Sequence, residues 1–166
     1  MMQRSGLICV FALALCAVAC GEEEKGARVP FDVLSGTLGP AGGELVGESG
    51  TSLAGVVVAV APGALSSEVS VEVSVVVDDT PLPENAFSIG DQFRVEGDAA
   101  LGGVAQLTVP FDPEEMRRFV EDIHGVKVWR RSAEGWATAE VVAVEASSVS
   151  VTIDEISTYG PGVRVE

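Results

Sequence analysis

Few side chains in these 166 residues are equipped for chemistry. There are three cysteines, Cys9, Cys16 and Cys20, one histidine, His124, and 25 carboxylates against 10 basic groups. The cysteines all precede residue 21, so His124 has no thiolate elsewhere in the chain to complete a zinc site, and as a base it would act alone. Carboxylates pair at Asp78-Asp79, Asp112/Glu114/Glu115 and Asp154-Glu155. None of these stretches shows the alternating oxygen ligands and glycine of a calcium loop, so they read as solvated turn and cap residues. Gly50-Thr51-Ser52-Leu53-Ala54 lacks the last glycine of a nucleophile elbow. Trp129 and Trp136 flank the turn Ser132 to Gly135, as core residues, as a cross-strand pair or as an exposed aromatic platform for a sugar. No catalytic residues, metal or cofactor are expected from this inventory.

Cys20 is different because of what precedes it. The segment Leu7 to Ala19 contains no charge and follows Arg4, the order of an export signal. It is shorter than the about 20 apolar residues a membrane-spanning helix needs, and it ends against Glu22-Glu23-Glu24. Cys9 follows Ile8 and Cys16 follows Leu15, whereas Cys20 alone follows a small residue, in Ala17-Val18-Ala19-Cys20. This resembles the lipobox of bacterial lipoproteins, with Ala17 where leucine is usual. The resemblance implies cleavage between Ala19 and Cys20 and a covalent lipid on the Cys20 sulfur. Ala17-x-Ala19 also fits the rule for ordinary signal cleavage. The released protein would then carry a lone N-terminal thiol into an oxidising compartment, which is unusual, so lipidation is the expectation. One acyl chain gives only marginal binding at about 0.8 kcal/mol per buried methylene, whereas two or three on one cysteine hold a protein at the bilayer. Gly21 is not the aspartate that many bacteria read as an inner-membrane retention signal, so the outer membrane is expected.

Loss of residues 1–19 removes Arg4 and makes the acid excess larger than the net −15 of the whole chain. Nucleic acids and anionic lipids are held by Lys and Arg, so the domain surface is not expected to bind them. The remaining length fits one domain able to bury roughly two thirds of its unfolded surface. It contains no cysteine other than Cys20, so packing rather than disulfides must stabilise it. Residues 20–33 read as a lipid-attached tether and 34–166 as the domain. From Gly21 to Pro30 the tether reaches on the order of 30 Å when extended.

The elements of that domain follow from period-two alternation. Val69, Val71, Val73, Val75 and Val77 share one parity against Ser70, Glu72 and Ser74. Val149, Val151 and Ile153 alternate likewise, as do Leu107, Val109 and Phe111. Val56 to Val60 is apolar on both parities, which predicts a strand covered on both faces. Further strands are expected over Gln92 to Glu96, Val126 to Arg131 and Trp136 to Val144, the last broken or bulged. Turn residues at Ala61-Pro62-Gly63, Thr80 to Asn85, Gly97-Asp98 and Ser132 to Gly135 separate them. The expected fold is all-β, an antiparallel β-sandwich behind a cleaved signal helix. One amphipathic helix interrupts it. Asp112 caps it, Pro113 opens it, Glu115 completes a capping box, Met116, Phe119, Val120 and Ile123 form its apolar stripe, and Gly125 ends it in a left-handed cap.

The stretch Gly36 to Leu45 with Gly42-Gly43, the stretch Gly50 to Val60, and Ala61-Pro62-Gly63-Ala64-Leu65 before a valine-rich strand together resemble the ZU-five domain. That module occurs in ankyrins, netrin receptors and death-domain scaffolds and has relatives in bacterial secreted proteins. The match is good over residues 35–77 and loose beyond, through Val109 to Pro113 and Ile156 to Tyr159. It implies a β-sandwich that serves as a structural or protein-contact module, here with an envelope protein as partner. Physically, Gly42-Gly43 and Gly63 supply turn conformations that a side chain forbids, and Ala64-Leu65 starts the return into the core. Neither the helix nor the lysine of a phosphate-cradling loop follows them. Some relatives cut their own backbone at His-Phe-Ser. Glu155-Ile156-Ser157 stands at that place, and glutamate is a poor base for a hydroxyl, so self-cleavage is not expected. The alternative function is a ligand-binding domain for an envelope glycan or calcium.

Overall fold

A computed structural model describes residues 32–76 and 81–165. The signal segment, Ala19, Cys20 and most of the tether lie outside the described residues, as do Val77, Asp78, Asp79 and Thr80. In chain order the strands are β1 (Val33–Leu38), β2 (Gly43–Val46), β3 (Val57–Val60), β4 (Val69–Val75), β5 (Ala86–Ser88) and β6 (Phe93–Gly97). They continue as β7 (Ala105–Pro110), β8 (Val126–Ser132), β9 (Gly135–Thr138), β10 (Val141–Val144), β11 (Ser148–Thr152) and β12 (Thr158–Arg164), with a helix α1 (Pro113–Arg117) between β7 and β8.

The alternation read from the sequence becomes two antiparallel sheets packed face to face, an all-β sandwich. One sheet runs β1-β4-β6-β12-β8-β9 with β5 also on β12, and the other runs β10-β11-β7-β3-β2. Val71, Val73, Val95, Val128 and Tyr159 of the first sheet and Val58, Leu107, Val109, Val149 and Val151 of the second are all buried in one core. Each Val or Leu so removed from water contributes about 1.5–3 kcal/mol, with the extended-chain reference as an upper bound. Ser70 and Glu72 on the opposite parity of β4 are exposed, the expected polar outer face.

Two expectations need correction, the burial of β3 and the extent and caps of the helix. β3 is not covered on both faces: Val56, Val58 and Val60 are buried while Val57 and Ala59 are half-buried on the outer face. Small apolar residues tolerate that position, so composition misstated the burial. The stretch Trp136 to Val144 is broken, as expected, into two strands that lie in two sheets. Ala139 N–H donates to Val128 in the first sheet (2.8 Å), and Glu140 carbonyl accepts from Thr152 in the second (3.1 Å), so the chain changes layer within one residue step.

The helix is shorter than its apolar stripe. α1 stops at Arg117, and a separate 3₁₀ turn, Ile123–Gly125, begins where the Asp122 carboxylate accepts from His124 N–H at 2.9 Å. Asp122 thus offers the backbone a competing cap, and five helical residues have little cooperativity to resist it. Met116, Phe119, Val120 and Ile123 still pack on the core. Asp112 caps as expected, accepting from Glu114 and Glu115 N–H groups at 2.7 and 3.3 Å, but the Glu115 carboxylate turns to Arg118 at 2.6 Å instead of back to the cap. Gly125 does not adopt a left-handed φ and lies inside the 3₁₀ turn.

β12 contains Gly160-Pro161-Gly162 and yet lies in the middle of its sheet. Proline is normally confined to edges because it cannot donate to a ladder. Along one side β12 pairs continuously with β8 from Thr158 to Val163. Along the other it meets β6 at Thr158 and Tyr159, then β5 from Gly162 onward. The Pro161 carbonyl accepts from Ile89 on that second side (3.2 Å), and a strand residue points its N–H and C=O to the same side. The missing donor therefore falls where the partner strand changes.

Candidate functional site

The motif residues of the two glycine-containing turns come together at one end of the sandwich. Gly39 to Gly42 form a tight turn closed by Gly42 N–H on the Gly39 carbonyl at 2.9 Å. Gly63 N–H donates across to the Pro40 carbonyl at 2.8 Å, and Ala64 N–H closes its own turn on Ala61 at 3.1 Å. Gly42 has φ 74°, and a Cβ there would stand 2.7 Å from both Pro62 N and the Val60 oxygen. Gly43 (φ 144°) opens β2, Gly63 has φ 79°, and Leu65 is buried. A shallow hollow of about 370 Å³ next to these turns has Gly43, Glu44, Pro62 and Gln106 among its walls. Its polar side chains are one carboxylate and one amide. Gly42, Gly43, Pro62, Gly63, Ala64 and Leu65 thus act as a docking of turn on turn.

The turn before β12 gathers the polar groups that the sequence left scattered. Arg130 reaches Asp154 Oδ2 at 3.1 Å through Nη1 and lies 3.7 Å from Glu155 Oε1 through Nε. The Ser157 hydroxyl donates to the Arg131 carbonyl. The pair that would have to cooperate in self-cleavage therefore faces apart, Glu155 to a guanidinium and Ser157 to a carbonyl. Tyr159, fully buried, donates its hydroxyl to the Glu155 carbonyl at 2.6 Å. Burial pushes the phenol from 10 to about 12; the Asp154 charge adds to this, while the Glu155 backbone bond and Arg130 oppose it. Tyr159 was not singled out in the sequence, although one tyrosine between polar residues and a glycine-rich strand marks a buried hydroxyl that needs a partner.

The two tryptophans do not form an exposed platform. Trp129 is on the outer face of β8 but only 4% exposed, and the Leu82 side chain lies with it over Gly162. Its indole N–H has no hydrogen-bond partner among the described residues. Trp136 donates to the Pro81 carbonyl at 2.9 Å. They are not a directly opposed pair either: on adjacent strands, Trp129 opposes Thr138 and Trp136 opposes Arg131. His124 is exposed in its 3₁₀ turn. Among the described residues no three His, Cys, Asp or Glu side chains gather as metal ligands, and no helix is long and apolar enough to cross a membrane.

What the fold does present is strand edges. Among the described residues β1 and β9 end the first sheet, where β5 pairs with β12 alone, and β2 and β10 end the second. At the entry to β1, Asp32 is held by Ser52, whose N–H and Oγ lie 2.8 and 3.2 Å from Oδ2. Asp32 and Val33, assigned to the tether from sequence, thus belong to the folded domain. No family model matches the chain, and no curated protein matches it significantly.

Proposed function

We propose that this chain is a bacterial lipoprotein, held by acyl chains on Cys20 at the outer membrane, whose single β-sandwich is a structural or protein-contact module without catalysis. The observation that carries the reading is Ala17-Val18-Ala19-Cys20 at the end of an uncharged apolar run. Three features agree with it. The first strand begins at Val33, so the residues between Cys20 and Asp32 could extend over on the order of 40 Å, enough to set the domain just clear of the headgroups. The described domain contains no cysteine and stands on packing alone. The two docked turns formed by Gly39 to Gly42 and Ala61 to Ala64 contain the motifs on which the resemblance to the ZU-five domain rests.

The ligand-binding alternative has less to rest on, because Trp129 is buried and the acidic residues near Arg118 and Arg130 spend their charge on those guanidiniums. The decisive experiment is intact-mass and N-terminal peptide analysis of the protein from its native membranes, alongside Cys20→Ser. Diacyl- or triacyl-modified Cys20 and transfer of the variant to the soluble fraction are expected. An unmodified cysteine on a soluble wild type refutes the anchor.

A further inference from the structure

The edge strands among the described residues are not equally protected. Unpaired N–H and C=O groups at a sheet edge are a template for another strand, and natural proteins blunt them by shortness, bulges, charges or proline. β10 carries a register shift between Val141 and Ala143. β5 has only three residues, β9 and β2 have four each, and β2 carries Glu44. β1 has none of these devices. Its six residues, Val-Leu-Ser-Gly-Thr-Leu, include no charge and no proline, and they pair with β4 without a shift along the whole strand.

The surroundings of this edge indicate what it takes. A hollow of about 310 Å³ lies beside the start of β1, with Val33, Leu34, Val46 and Leu53 in its walls and Asp32 and Glu48 as its two charged residues. Val33 and Val46, 50% and 53% exposed, are the two most exposed large apolar side chains among the described residues. Both charges of the hollow are negative, and Ser52 fixes one of them in place. A second copy, in a chain of net −15, would bring the same acids to the contact.

We infer that the free edge of β1 is a strand-addition site for an extended segment of a partner protein, with small apolar side chains to meet Val33 and Val46 and Lys or Arg to meet Asp32 and Glu48. Main-chain bonds to β1 supply the affinity, and the alternating side chains supply the choice of partner. The site matches about six residues of partner, roughly 20 Å of strand. This deepens the reading of the domain as a protein-contact module and rests on it. The two fail separately: a native partner that still binds when β1 is blocked removes this edge alone, whereas a soluble, unlipidated wild type removes only the anchor.

The test is amide hydrogen exchange on the full chain with two synthetic peptides, one alternating valine with lysine and one alternating valine with glutamate. The lysine peptide is expected to slow exchange over residues 32–38, and the glutamate peptide to bind about tenfold more weakly. Ser35→Lys with Thr37→Lys, on the outward parity of β1, is expected to abolish the protection while leaving the melting temperature unchanged. Should that pair unfold the domain, the exposed Glu48→Gln serves instead, narrowing the preference between the peptides. Equal binding of both peptides, protection over β2, β9 or β10, or no binding of the lysine peptide overturns the proposal. A free chain that is already dimeric with residues 32–38 protected also overturns it, because a second copy then occupies the edge.

Discussion

Gly42 and Gly63 form an internal experiment on how the two turns hold the end of the sandwich. Both have nearly the same left-handed backbone, φ 74° and 79°, so replacement by alanine carries the same conformational penalty of about 1–2 kcal/mol. Both also gain equally from the reduced freedom of the unfolded chain, by about 0.4–1 kcal/mol. Only the space differs. A Cβ on Gly63 meets nothing within 4 Å, whereas on Gly42 it meets Pro62 N and Val60 O at 2.7 Å and Ala61 C at 2.9 Å. Those are backbone atoms with no rotamer to change, so Gly42→Ala must push the turns apart. The hydrogen bond from Gly63 to Pro40, worth about 1 kcal/mol net, is lost with that movement, and contacts around it loosen. Gly63→Ala is thus expected to cost about 1 kcal/mol and Gly42→Ala about 3 kcal/mol. Urea unfolding with matched m-values measures both, and each kcal/mol is also about 3–5 °C in Tm for a domain of this size. Equal costs for the two substitutions would refute the claim that turn-on-turn docking, rather than backbone conformation alone, is what Gly42 serves.

Two further outcomes follow from the central strand. Tyr159 holds its proton up to about 12, above its unfolded value of 10, so its contribution to stability is complete below pH 10 and is lost as pH rises from 10 through 12. It is the chain's one tyrosine, so tyrosinate absorbance reports it alone; Tyr159→Phe should flatten the stability profile in that window, and a wild-type midpoint near 10 contradicts the burial argument. Gly162→Ala places a methyl 2.9 Å from the Phe87 carbonyl and 2.8 Å from Leu82, while Gly160→Ala meets only the Gln92 side chain at 2.9 Å. Thermal melts should therefore show the larger loss at Gly162, with Gln92→Ala restoring part of the loss at Gly160 and Leu82→Ala restoring little at Gly162.

Much of this protein was legible one strand at a time. Alternation located β4, β7 and β11 because each buries a single face, and Asp112-Pro113 marked the start of α1 because capping is a local contact among neighbouring residues. The turn residues Gly42, Gly43 and Gly63 were found for the same reason, since positive φ is a demand on one residue. The length of α1 was misjudged because the competing cap at Asp122 weighs as much as the apolar stripe in so short a helix.

Cys20 and the acid excess are set by residue identity alone, and with them the proposal of where the chain is held. Tertiary structure decided the rest. It put Gly160-Pro161-Gly162 at the centre of a sheet by changing the strand alongside, buried Trp129, and left β1 unpaired on one side among the described residues. A strand's own residues report which face it buries but not which neighbours it meets or whether it has two. Pairing joins residues far apart in the chain, and so the edge carrying the proposed contact could be recognised only after every other strand had found its place.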